Sequence, residues 1–390
     1  MTQGYRALRS TSTRTAALAL ALLAPATSVS AQQPDIEAEV HGLILMNGFH
    51  TSARVNNSDV PQFALPADPA ENPATAASGG TVRQSRVTVT ALVPELLGGA
   101  LTGELDVDFY GGQQPSTGGR TFPLLRIRRA FAELTWGRVA LLAGQESPPI
   151  AAVSPSSLAS IGFPEFAGAG NLWLWIPQIR LAGDLHTAGG ARLGAEIAAL
   201  APTSGDPQGA FFTQPDIAER SGRPFLQARV RARWGGAVDE PGEVSLGGHY
   251  GWIVDAAGDR VPSKAAAASV WAPIVRGLEL RAEGFTGQAL AGLGGGGIGQ
   301  SMVVNGVPVR TTGGWAQLNL RPAASWEIGG GAGIDDPDDA DLLPTSRLRN
   351  LALDGHLIWR RLPVVVGVEV REIRTRYADP VGTRSATHLN

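Results

Sequence analysis

Segments of about ten residues in which polar and apolar side chains alternate recur along most of the chain. A β-strand sends successive side chains to opposite faces, so each segment predicts a strand with one polar and one apolar face. In RPFLQARVRARW, residues 223–234, one face carries Arg229, Arg231 and Arg233, and the other carries Val230 and Trp234. Because a sealed core could not hold so many unpaired charges, the polar faces must line a wet interior.

The connections between these segments alternate in length. Short ones, such as 94–100 and 136–138, are followed by long ones, such as 112–122 and 147–172. The segments between them amount to about sixteen strands, and short turns at one end with long loops at the other are typical of outer-membrane barrels. We therefore predict an all-β fold: a transmembrane antiparallel β-barrel of about sixteen strands, with short periplasmic turns and long external loops.

The first 31 residues have the three regions of a secretory signal peptide. Three arginines precede the apolar run 16–24, and VSA at 29–31 fits a cleavage site. No later stretch reaches the roughly 18–20 apolar residues of a membrane helix. We therefore expect cleavage after residue 31, export to the cell outer membrane and a barrel over residues 32–390. The chain ends in SATHLN at 385–390, so its last strand is expected to be incomplete.

The composition argues against several kinds of site. Cysteine is absent, which removes disulfides, thiolate metal sites and cysteine nucleophiles. The six histidines lack metal-ligand spacing, and no G-x-S-x-G elbow occurs. The formal net charge of −3 does not favour nucleic acid as a partner. We expect no enzymatic activity, cofactor or metal. The acidic segment 335–341 has the oxygen ligands that a divalent cation needs, but a solvated loop tip is the simpler interpretation.

Several stretches, taken in order, resemble the DcaP-like trimeric porins and, more distantly, the phosphate-selective porins. They are ELDVDFYGG (104–112), LLRIRRAFAEL (124–134), LLAGQESP (141–148), IPQIRL (176–181) and LRNLALDGHLIWRRL (348–362). The resemblance covers most of the chain beyond the signal segment and rests on the order of these stretches rather than on any one of them. It implies a sixteen-stranded homotrimeric channel for small anions, including dicarboxylates. The arginine-rich strand of that family matches Arg126 and Arg128.

Arginine is the most informative residue type for the predicted interior. The resemblance and the alternation together give nine pore-lining, anion-binding candidates: Arg86, Arg126, Arg128, Arg180, Arg229, Arg231, Arg233, Arg281 and Arg371. Fixed guanidinium groups in a narrow aqueous channel concentrate anions, and arginine binds carboxylate and phosphate through paired hydrogen bonds. The alternative is that the arginines only pair with acids and brace the wall. The run 229–233 has no interleaved acid and is the best candidate for an open basic track. Arg129 breaks the alternation.

We therefore expect an outer-membrane porin for passive diffusion of small, preferentially anionic solutes such as carboxylates and phosphate-like anions. Its expected partners are these solutes, outer-membrane lipid and further copies of the chain in a homotrimer. A non-conducting structural or adhesive barrel is the main alternative, and a barrel-embedded hydrolase is a third.

Two of the long connections carry specific expectations. Residues 147–172 are apolar and proline-rich, so we expect them to fold inward and narrow the pore; a subunit-contact loop is the alternative. The glycine-rich segment 292–299 predicts a mobile external loop rather than a phosphate cradle.

Overall fold

The computed structural model describes residues 36–67, 76–112, 123–188, 191–205, 214–235, 242–302 and 306–390. The predicted signal peptide, residues 1–31, lies outside these ranges. The helices within them are three-residue 3-10 helices at Glu219–Ser221, Ala291–Leu293 and Asp339–Asp341. Over the same ranges, none of the helices has the length and apolar character that would let it span a membrane. The predicted all-β fold is confirmed.

Eighteen strand segments within the described ranges form one antiparallel sheet. In chain order they are β1 (Glu37–Leu43), β2 (Asn47–Thr51), β3 (Ala77–Thr81), β4 (Arg86–Leu96), β5 (Gly99–Asp108), β6 (Arg126–Trp136), β7 (Val139–Glu146), β8 (Ile176–Ala188), β9 (Ala191–Leu200), β10 (Phe225–Trp234), β11 (Gly242–Val254), β12 (Arg260–Val275), β13 (Leu278–Gln288), β14 (Arg310–Ala323), β15 (Trp326–Pro337), β16 (Arg347–Arg361), β17 (Val364–Tyr377) and β18 (Thr383–Leu389).

We call each full strand of the barrel wall a stave. The first two staves are each divided into two shorter strand segments. Residues 44–46 separate β1 from β2, residues 82–85 separate β3 from β4, and β1 pairs with β4 while β2 pairs with β3. The described segments therefore make sixteen staves, which agrees with the number expected from the sequence. From β4 to β18 each strand pairs with the next one along the chain. A short ladder of two residue pairs then brings β18 against β2.

Polar side chains are buried and apolar side chains are exposed along these strands, the reverse of a soluble sheet. In β10, Arg229 and Arg231 are only 6% and 9% exposed, whereas Leu226 and Val230 are 48% and 55% exposed. The same inversion continues in β17, where Glu369 is buried between exposed valines. An apolar outer face with a polar inner face is the pattern of a membrane-spanning barrel.

Three connections fold into the barrel rather than away from it. We call them loop A (residues 52–67), loop B (147–175) and loop C (289–302). The Tyr377 hydroxyl of β17 donates to the Ala64 carbonyl of loop A at 2.8 Å. The Ser157 hydroxyl of loop B donates to Glu369 at 2.6 Å, and the Ile298 amide of loop C donates to Asp335 at 2.8 Å. The inward course predicted for 147–172 is confirmed, whereas the external position expected for 292–299 is wrong.

The packing of loops B and C against the wall creates a hydrophobic core inside the barrel. Leu172 of loop B and Leu293 of loop C are buried together against Phe225 of β10 and Phe285 of β13. The Leu293 carbonyl accepts hydrogen bonds from the amides of Trp173 and Leu174 at 3.0 and 3.1 Å, which joins the two loops directly. Loop C lies inside for this reason: its leucines and Ile298 bury apolar area that the external solvent would expose.

Candidate pore-lining site

A polar cavity of about 550 Å³ lies against the inner faces of β6 to β10. It begins near the short turn at Gly137 and Arg138, and Ser147, Ala152 and Ser154 of loop B border it. Its charged lining residues are Arg129, Glu133, Arg138, Glu146, Arg180, Asp184, Glu196, Arg229, Arg231 and Arg233. The cavity therefore brings together four of the nine arginines predicted from the sequence: Arg180, Arg229, Arg231 and Arg233.

Acids on the two neighbouring strands pair with the arginines of β10. Glu196 of β9 accepts a hydrogen bond from Arg229 at 2.8 Å and is in contact with Arg231. Glu243 of β11 binds Arg229 at 3.1 Å and Arg233 at 2.6 Å. The run 229–233 is thus not the open basic track expected from its own strand, because the register places acids beside it.

A glycine on the flanking strand makes room for one of these large side chains. Gly194 of β9 lies opposite Arg231, and a Cβ atom there would be 3.2 Å from the Arg231 guanidinium carbon. This distance is tighter than side chains normally adopt, so Gly194 allows Arg231 to lie along the wall.

A β-bulge in β6 accounts for the arginine that broke the alternation. Asp106 of β5 pairs with Arg129, and the next residue, Val107, pairs with Ile127, so Arg128 is the extra residue. Arg129 consequently faces inward, where it binds Glu146 at 3.2 Å and contacts Glu104. It lines the cavity, and the strict period of two used on the sequence missed it.

Three predicted arginines, Arg86, Arg126 and Arg128, are not among the residues that line the cavity. Arg86 binds Asp106 at 2.6 Å, and Arg126 binds Asp108 at 2.6 Å. Arg128 lies 3.8 and 3.9 Å from these two acids and stacks over Trp175, with 4.5 Å between the guanidinium carbon and the ring centre. The wall-bracing interpretation describes these contacts well.

The remaining two predicted arginines hold the loops. Arg281 of β13 binds Glu279 at 2.9 Å and donates to the Ser154 carbonyl of loop B at 3.2 Å. Arg371 of β17 contacts Glu165 of loop B and donates to the Pro61 carbonyl of loop A at 2.9 Å. Both face inward as predicted, but neither lines the cavity.

Two side chains of the wall fix the tip of loop B. Glu369 accepts hydrogen bonds from the Ser157 hydroxyl and from the amides of Leu158 and Ala159. Gln84, just before β4, accepts from the Ile161 and Gly162 amides and donates to the Ala159 carbonyl at 2.7 Å. Glu369 is on β17, next to β18, and Gln84 is on the stave of β3 and β4, next to β2, so the two anchors lie on either side of the β18–β2 seam.

Glu165 of loop B ionises less readily than a carboxyl group in water. Its burial raises the pKa of the carboxyl to about 7, because a charged group loses its hydration there. The guanidinium of Arg371 opposes that increase.

The acidic segment 335–341 is engaged by the protein itself. Arg310 binds Asp338 at 2.8 Å and Asp341 at 2.7 Å, and these bonds lower the pKa of the Asp341 carboxyl. Asp339 binds Arg376 at 2.8 Å, and Asp335 is fully buried where it accepts the amides of loop C. The expected solvated tip is wrong for Asp335, and the described ranges contain no histidine, cysteine or carboxylate group suited to a metal ion.

No protein-family model matches the chain, and no curated protein matches its sequence. Solved structures do match it. The outer-membrane channel DcaP of Acinetobacter baumannii superposes with a TM-score of 0.64 over 91% of this chain and 96% of that one, at 16% identity. The fold is that of an outer-membrane porin.

Two further solved structures match over similar lengths. The anion-selective porin from Comamonas acidovorans has a TM-score of 0.57 at 10% identity, covering 91% of this chain and 98% of that chain. The trimer form of the outer-membrane protein OmpT of Vibrio cholerae has a TM-score of 0.50 at 8% identity, covering 91% and 97%. The resemblance to the DcaP channel noted in the sequence is thus confirmed for the porin fold.

Proposed function

We propose that this chain is an outer-membrane porin through which small, preferentially anionic solutes diffuse passively. The main support for this proposal is the cavity at the inner faces of β6 to β10. Among the described residues that line it, six are arginines and four are carboxylates, a formal excess of two positive charges. Fixed cations around a narrow aqueous space raise the local concentration of anions and their rate of entry. Carboxylates and phosphate-like anions match the paired donors of arginine.

The test is the conductance of the purified, folded protein in a planar bilayer. We expect stepwise single-channel currents, and a reversal potential under a KCl gradient that shows chloride passing more readily than potassium. Absence of current from folded protein would overturn the proposal in favour of a structural or adhesive barrel. Liposome swelling with phosphate, succinate, aromatic acids and neutral sugars would then rank the solutes, and a non-conducting barrel would admit none of them.

We also infer an outer-membrane location, reached by means of a cleaved signal peptide over residues 1–31. The support is the inverted polarity of the wall, whose exposed valines and leucines suit lipid and whose buried charges suit water. Passive diffusion of solutes through the channel inside this wall needs neither a cofactor nor catalysis. Cell fractionation together with N-terminal sequencing of the mature protein tests both points, with Gln32 expected as the first residue.

We further propose that the porin is a homotrimer in which the outer faces of β12 to β14 contribute to the subunit contacts. Small residues replace the bulky lipid-facing ones there: Ala266, Ala268, Gly284, Gly314 and Ala316. They leave an outer depression of about 1180 Å³. Small residues let membrane segments approach closely, and the Vibrio cholerae OmpT neighbour occurs as a trimer.

Because the chain has no cysteine, single cysteines report this contact directly. Oxidative cross-linking should join subunits of Ala316→Cys in the native membrane. Val230→Cys, on the outer face of β10, serves as the control. Cross-linking of the control alone would place the interface elsewhere.

A further inference from the structure

We infer that Glu196 is the specificity-determining acid of the channel, and that it acts by neutralising arginines that would otherwise face the solute. The inference rests on the proposed porin function. One carboxylate, that of Glu196, sets how strongly the channel prefers anions. Arg180 is the cation that Glu196 leaves available to bind a solute.

Glu196 lies on the inner face of β9 and lines the cavity. It pairs in register with Ala182 of β8 on one side and with Arg229 of β10 on the other. Its Oε1 atom accepts from Arg229 at 2.8 Å and contacts Arg231, while its Oε2 atom is 4.0 Å from Nη1 of Arg180. One buried carboxylate therefore faces three guanidinium groups from two strands.

The three arginines are not neutralised equally. Arg229 has a second acid, Glu243, at 3.1 Å, and Arg231 has a second acid, Asp184, at 3.6 Å. Within the described part of the chain, Glu196 at 4.0 Å is the only ion-pair partner of Arg180. A separation of 4.0 Å is too long for a hydrogen bond, so an entering anion meets donors on Arg180 that no carboxylate occupies.

Loop B holds Arg180 at the edge of the cavity. Its guanidinium donates to the Ser147 carbonyl at 3.4 Å, which is a long and weak contact. The side chain is 17% exposed, more than those of Arg229 and Arg231. Arg180 is therefore the cation that binds an entering anion. Glu196 weakens this binding because it attracts the Arg180 guanidinium back to the wall.

Glu196→Gln tests this arrangement, because it removes the charge and keeps the shape and an acceptor oxygen. We expect the anion-to-cation permeability ratio, measured from the reversal potential under a KCl gradient, to rise by roughly fivefold. The second acids of Arg229 and Arg231 keep those side chains paired. Glu196→Asp keeps the charge and should restore the original ratio, which a purely structural role would not do.

Arg180→Gln should lower the anion-to-cation permeability ratio. This variant tests the inference even where Glu196→Gln does not fold. Glu372→Gln makes the same charge change on the outer face of β17 and should leave the ratio unaltered. The inference is overturned when the wild-type channel prefers anions but Arg180→Gln does not reduce that preference, or when folded Glu196→Gln does not increase it. A wild-type protein that conducts nothing would instead refute the proposed function itself.

Discussion

Arg128 and Arg129 are adjacent in the sequence, yet both guanidinium groups approach the same carboxylate oxygen of Asp106, at 3.8 and 3.7 Å. Successive residues of a regular strand point to opposite faces, so only an irregularity allows this. The bulge at Arg128 supplies it, and Ile127 before the bulge points outward. The fourth stave thereby presents two consecutive cations to the interior.

The bulge predicts how Arg129→Gln behaves. An inward Arg129 contributes positive charge to the cavity, so its removal should reduce the anion preference seen in the reversal potential. Lumenal changes tune selectivity more than they affect insertion, so the yield of folded protein should change little. If the strand alternated strictly, Arg129 would face lipid. The same variant would then fold better and leave selectivity unaltered.

The outward face of β10 predicts a cost in stability for Val230→Arg. Val230 is one of the most exposed apolar residues of this strand. An arginine facing lipid costs about 2–4 kcal/mol near the membrane midplane and less near an interface. Urea titration of the heat-modifiable gel mobility should show this loss, with Val230→Leu as the apolar control. A harmless Val230→Arg would mean that the strand is displaced by one residue and its faces are exchanged.

The anchoring of loop B predicts that Glu369→Ala produces a larger and noisier single-channel current. Three hydrogen bonds to the carboxylate are lost, and bonds to a charged group contribute roughly 1.5–3 kcal/mol each. The tip of the loop then moves away from the wall. Glu372→Ala, on the outer face of the same strand, is the matched control and should conduct like the wild type. Equal currents in both variants would show that loop B does not depend on Glu369.

The position of Glu165 predicts that the docking of loop B against the wall depends on pH. Because burial raises the pKa of Glu165 to about 7, well above the ordinary value of a glutamate, folding favours the protonated carboxyl. The stabilisation of the docked loop is complete below pH 4.5 and is lost as the pH rises through about 7. Current fluctuations should therefore be more frequent at pH 8 than at pH 5. Glu165→Gln cannot titrate and should remove the difference; a variant that keeps it would assign the effect to another group.

Alternation along single strands was sufficient to predict the barrel. A period of two depends only on the chain itself, so Val230 and Arg231 could be assigned to opposite faces before any partner strand was known. The assignment of Arg371 and Glu369 to the interior rests on the same property.

The pairing of charges could not be predicted in this way. Glu196 and Glu243 become neighbours of the β10 arginines through the register of three strands, which no single segment specifies. The bulge at Arg128 adds one residue to β6 relative to its partner β5, so it can be recognised only from the pairing of the two strands. The inward position of loop C depends on the apolar surface that loop B offers, and the glycine content of the segment says nothing about that surface.

The hydrophobic core inside the barrel imposes an order on assembly. Leu172 and Leu293 lie far apart in the chain and meet only because separate parts of the wall bring their loops together. Contacts between such distant residues are gained late, after the entropy of closing the intervening chain has been lost. The strands that carry the two loops must therefore pair before this core can form. We expect the interior to be open at that stage of biogenesis, and the protein's own loops to fill it afterwards.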